Sequence, residues 1–170
     1  MNVYFATVQQ HTRMLENLDR WIDLAVEHAK TKSFDRNVLL QARLAPDQYA
    51  FVKQVQAACD TAKFTAARLT AKDPPKHPDT EQTIDELHVR IRDVVAYLKT
   101  YKEEDFAHTA TRVVPLPFMP GKGMLSADYV FEMQTPNFFF HVAHAYAILR
   151  HNGVNLGKRN YIGSLTLRDV

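Results

Sequence analysis

The sequence predicts an all-α fold, an antiparallel four-helix bundle with one long crossover, and three observations point to it. Four separate stretches carry apolar residues at alternating steps of three and four, the mark of a helix with one buried face. Breakers rich in proline or glycine separate those stretches. The one strand-like run is short and cut by prolines, so it can supply only a small hairpin. At 170 residues the chain suits a single domain, 1–170, with a full core.

The first helix is expected from Val3 to Lys30. Tyr4, Val8, His11, Leu15, Leu18, Ile22, Ala25 and Ala29 form its stripe, with Arg13, Glu16, Arg20, Asp23 and Glu27 opposite. Lys30 and Lys32 suit the negative end of the helix dipole. A connection, Ser33 to Asp47, holds the apolar run Val38-Leu39-Leu40. Pro46 fits the first position of a second helix, where its missing N–H would be unpaired anyway. That helix reaches Thr70 and turns Val52, Val55, Cys59, Ala62, Ala66 and Leu69 inward. Most of these are small, so neighbouring helices can approach closely.

Asp73-Pro74-Pro75-Lys76-His77-Pro78 is a breaker, and Asp79 or Thr80 is placed to cap a third helix. Ile84, Leu87, Ile91, Val94, Val95, Leu98 and Tyr101 face inward from it. Thr109 to Ser126 reads as a small irregular β-hairpin serving as the crossover between helices three and four, with Gly121-Lys122-Gly123 at its turn. Those glycines lack the spacing of a phosphate loop. Ser126 is expected to cap a fourth helix that ends near Asn152. Pro136 should kink it, because proline removes a backbone bond and collides with the preceding turn. Gly153 supplies the left-handed residue that stops it. From the tail, Leu156, Tyr161 and Ile162 are expected to pack back on the helices.

Composition narrows the function classes. The net charge of +2 is spread among mixed acids and bases, which gives no electrostatic footprint for nucleic acid or for a membrane surface. One cysteine, Cys59, rules out a disulfide framework and a cysteine-rich zinc site, and it reads as a small buried hydrophobe. Met1 to Gln10 does not resemble a signal peptide. The most apolar stretch, Phe138 to Leu149, is broken by His141 and His144 and is too short to span a bilayer. A cytoplasmic location is expected.

The fourth helix holds the residues with chemical potential. Asn137, His141, His144 and Ile148 follow one another at steps of four, three and four and share a face. Histidines so spaced can hold a metal if another helix adds a ligand. Gln56 and Asp60, an i,i+4 pair on the second helix, and His11, on the stripe of the first, are the candidates to face His141. Asn137 also has a structural reading, pairing with the Glu132 carbonyl that the proline releases. His151 suits the helix end, while His28, His77, His88 and His108 read as surface or loop residues. Phe138, Phe139 and Phe140 point in steps of about 100°, so at least one must leave the core. A homodimer is expected to cover it.

The run Asn137-Phe138-Phe139-Phe140-His141-Val142, continuing to Ile148-Leu149-Arg150-His151-Asn152-Gly153-Val154, resembles the last helix of the DinB/YfiT-like superfamily of metalloenzymes. Leu39-Leu40-Gln41-Ala42-Arg43-Leu44-Ala45-Pro46-Asp47 and Leu156-Gly157-Lys158-Arg159 resemble an uncharacterised branch of it, a domain of unknown function. The resemblance implies a metal held by three histidines, two of them four apart on the last helix. His141 matches the second of that pair, and Asn137 stands where the first would be. On the second helix this chain offers Gln56 or Asp60. A divalent metal (zinc, nickel or iron) on His141, Asp60 and His144 is one expectation, with Asn137, Gln56 and His11 lining the pocket. It would act on a small molecule, by thiol transfer to an electrophile if distant relatives are a guide. The other expectation is a degenerate pocket in a bundle without catalysis, since an amide oxygen is a poor ligand for zinc or nickel.

Overall fold

The structure, a computed structural model, describes residues 2–169. Helix α1 spans Val3–Lys32, α2 spans Phe51–Thr70 and α3 spans Ile84–Lys99. Strands β1 (Val113–Pro115) and β2 (Gly123–Leu125) pair antiparallel with Val114 opposite Met124. Helix α4 is continuous through an α-helical turn, Ser126–Asp128, a π-helical segment, Tyr129–Gln134, and an α-helix, Thr135–His151. A short helix α5, Lys158–Ile162, closes the chain's last turn. Two 3₁₀ turns, Arg36–Gln41 and Glu103–Phe106, serve as connectors.

Every residue of the stripe expected on α1 is buried, and so is every one expected on α3. Helix α2 packs against α1, α3 and α4. Its inward Ala58, Cys59, Ala62 and Ala66 are fully buried, because small side chains let three neighbours come close. One contiguous core results, with Trp21, Phe51, Phe106, Tyr129 and Phe138 as its largest members. Among the described residues no helix is long and apolar enough to cross a membrane.

Four local expectations need correction. Helix α2 starts at Phe51 rather than at Pro46. Pro46 instead sits in a turn closed by the Gln48 N–H donating to the Ala45 carbonyl, a position that suits its fixed φ. Thr83, not Asp79 or Thr80, caps α3: its hydroxyl accepts from the Glu86 N–H, and Glu86 accepts from the Thr83 N–H. Ser126 does not cap α4; its hydroxyl donates to the Arg112 carbonyl at 3.1 Å and ties the helix start to the hairpin. The bend expected at Pro136 takes the form of the π-helical segment just before it, where the Thr135 N–H reaches back to the Val130 carbonyl. The wider turn makes room for the proline ring.

At the other end Gly153 adopts φ +89°, as expected, and the Val154 N–H bonds the Leu149 carbonyl. Of the tail residues, Leu156 is buried and Tyr161 stacks on Trp21, but Ile162 stays 37 % exposed.

Candidate functional site

Helices α2 and α4 meet along a seam of polar side chains. His141 on α4 is only 8 % exposed, and its Nδ1 lies 2.8 Å from Gln54 Oε1 on α2. Gln54 Nε2 in turn donates to the Tyr49 carbonyl at 3.3 Å. That second bond decides which end of the amide meets the imidazole. The oxygen must accept, so His141 carries its proton on Nδ1 and keeps a lone pair on Nε2. Further along, Asn137 Nδ2 donates to Thr61 Oγ1 at 2.7 Å. Gln134 Oε1 then lies 3.3 Å from the Thr65 hydroxyl.

The Tyr49 ring lies nearly parallel to His141 at 6.3 Å, and Phe140 meets it edge-on at 5.3 Å. Burial holds the His141 pKa below the usual histidine range, and nearby His144 and Lys53 push it the same way. The ring is therefore a neutral imidazole near pH 7, with one nitrogen committed to Gln54. Chemically it can accept a proton or a cation at Nε2 and at no other atom.

His141 thus points inward, as expected, but its partner on α2 is Gln54, not Gln56 or Asp60. The helical turn explains the difference. Two residues along a helix rotate a side chain by about 200°, so Gln56 faces away from Gln54. Gln56 donates to Glu81 at 2.7 Å, and Asp60 binds Arg90 and Lys63, each at 2.8 Å. Gln54, Ala58, Thr61 and Thr65 recur at steps of four, three and four. This second inward stripe is visible in the sequence and would have pointed to Gln54.

Asn137 pairs with Thr61 rather than with the Glu132 carbonyl. His144 is half-buried and turns its Nδ1 to the Phe140 carbonyl at 2.6 Å. His11 lies on α1, fully buried and stacked on Phe138 at 4.0 Å, with neither nitrogen hydrogen-bonded. Burial pushes its pKa down to about 3. His88, expected at the surface, is buried on α3 and paired with Asp19.

The donor set does not fit a metal on His141, Asp60 and His144. Asp60 is held by two cations on the side of α2 that faces α3. The groups that do meet His141 and Asn137 are an amide and a hydroxyl, poor ligands for zinc or nickel. Among the described residues no three His, Cys, Asp or Glu side chains gather as metal ligands would.

The second polar cluster is built around Arg90, whose side chain is 2 % exposed. It binds Asp60, Asp79 at 3.2 Å, Glu81 at 2.9 Å and the Pro78 carbonyl at 3.2 Å, clamping the proline-rich connection onto α2 and α3. Burial alone would raise the Asp79 pKa, but Lys53 and Arg90 outweigh it and hold the carboxyl below its usual range. Beside this cluster Cys59 is fully buried, and burial pushes its thiol up to about 12, which leaves it unreactive.

A family model described as a domain of unknown function, DUF1993, matches residues 3–162. The chain belongs to the DUF1993 family. This DUF1993 protein is also similar to a solved structure titled as a DinB family member from Shewanella denitrificans, with 44% identity. The match covers 99% of this chain and 96% of that one, at a TM-score of 0.94. The DUF1993 fold is thus DinB-like. No curated protein matches the sequence.

Proposed function

We propose that this DUF1993 protein is a non-catalytic DinB-like chain in which directly bonded side chains stand where the metal of the wider superfamily would be held. The carrying observation is the His141 Nδ1 at 2.8 Å from Gln54 Oε1, with the amide itself fixed by the Tyr49 carbonyl. On this reading the four long helices form an antiparallel four-helix bundle, one cytoplasmic domain whose seam serves stability and small-molecule binding. Calorimetry with zinc, nickel and iron(II) tests it. Binding no tighter than about 100 μM is expected. His141→Ala should lower stability by about 1–3 kcal/mol, the cost of leaving the Gln54 Oε1 acceptor without its partner.

One observation favours a second reading. His144, like His141, has Nδ1 engaged by an oxygen, so both rings offer Nε2. Micromolar binding of a divalent metal that is lost in His141→Ala would favour this reading, a metal-dependent enzyme acting on a small molecule, and would end the first. A homodimer belongs to either reading: Phe138 is buried, but Phe140 is 51% exposed and so is Phe131 on the same helix. Light scattering is expected to show a dimer that Phe140→Asp converts to monomer.

A further inference from the structure

We propose that the cleft between α1 and the C-terminal turn binds a small organic anion. The cleft has a volume of ≈ 520 Å³, within the range of small-molecule sites. Arg20, Trp21 and Leu24 of α1 form one wall, and Arg159, Asn160 and Ser164 form the other.

The turn is held against α1 by specific bonds. Asn17, which is buried, donates Nδ2 to the carbonyls of Tyr161 at 3.0 Å and Ile162 at 3.3 Å. Trp21 Nε1 donates to the Asn160 carbonyl at 2.9 Å. Gly163 adopts φ +73°, and a Cβ there would lie 2.4 Å from Asn17 Oδ1, so only glycine permits this approach. The anchoring brings Arg159 to the same cleft as Arg20. Asn17 Oδ1 also accepts from Arg20 Nη2 and so orients that guanidinium.

Among the described residues neither guanidinium is paired with a carboxylate. Asp23 also lines the cleft, but it is one anion against two cations, and it lies 3.5 Å from His88 Nε2. The net local charge favours an anion. Two planar guanidinium forks match carboxylate or phosphate oxygens. Exposed Leu24 adds an apolar surface, so the geometry suits an anionic head on an apolar body.

Trp21 is the only tryptophan in the chain, so intrinsic fluorescence reports on this cleft directly. Titration with phenyl phosphate, and separately with benzoate, tests the proposal and tells which head group is preferred. A saturable change is expected for at least one, with Kd below about 1 mM and weaker binding at higher salt. Arg20→Ala and Arg159→Ala should each weaken it about fivefold or more. Arg36→Ala, which removes an exposed pair with Asp85 elsewhere, should leave it unchanged. If Arg20→Ala loosens the turn through Asn17, seen by circular dichroism, Arg159→Ala carries the test alone. No saturable change up to about 10 mM with either probe, or wild-type affinity in Arg159→Ala, overturns the proposal.

Discussion

His11 shows how one residue can couple stability to pH. Its imidazole is stacked inside the helices on Phe138, and neither ring nitrogen has a partner. The folded ring takes a proton only near pH 3, whereas the unfolded ring does so near 6.5. The unfolded state therefore binds the proton first, and the contribution of neutral His11 is complete above pH 6.5. It should be lost at about 1.4 kcal/mol per pH unit between 6.5 and about 3. His11→Leu removes that slope and two unsatisfied nitrogens, so a gain of about 1–3 kcal/mol at pH 7 is expected. Urea unfolding of both proteins at pH 7, 5 and 4 measures it; parallel pH dependence in the two would count against the assignment. His11 was legible as an inward residue because its helical phase is unambiguous. Gln54 is hidden in the sequence because it lies on a mixed stripe with Ala58 and Thr61 rather than on an apolar one.

Within the helices, the stripes on α1 and α3 could be read residue by residue, because each helix hides one face and shows the other. Their ends could not, and the reason is local. Asp79, a good cap by type, is taken by Lys53 and Arg90, which leaves the Thr83–Glu86 box to start α3. Thr83→Ala should cost about 1 kcal/mol in unfolding experiments. The Arg90 clamp predicts more. Removing its buried guanidinium leaves Asp60 with Lys63 and Glu81 with Gln56 but frees Asp79 and the Pro78 carbonyl from their hold on α3, and Arg90→Ala is expected to destabilise by about 2–3 kcal/mol, with protease cleavage appearing in the 73–82 connection. Ordinary stability with an uncleaved connection would show that the network contributes little. Proline at 136 likewise foretold an irregularity in α4, while its form, a π-helical segment, depends on how the packed helix relaxes around the ring.

Across the whole molecule, the mostly helical architecture and the small hairpin followed from periodicity and breakers, and the family from runs of sequence in the 39–47 connection, on the last helix and in the tail. The site was only half visible. Its α4 side is one contiguous stretch, Asn137 to His144, whereas its α2 side depends on which of several polar residues the packing rotates toward that stretch. The packing selects Gln54, and with it a fixed imidazole tautomer. Nitrogen-15 NMR of the His141 ring at pH 7, recorded before and after one equivalent of zinc, tests this most directly. The account predicts a neutral ring protonated on Nδ1 with resonances unchanged by zinc; a ring protonated on Nε2, or one that shifts on binding the metal, would contradict it.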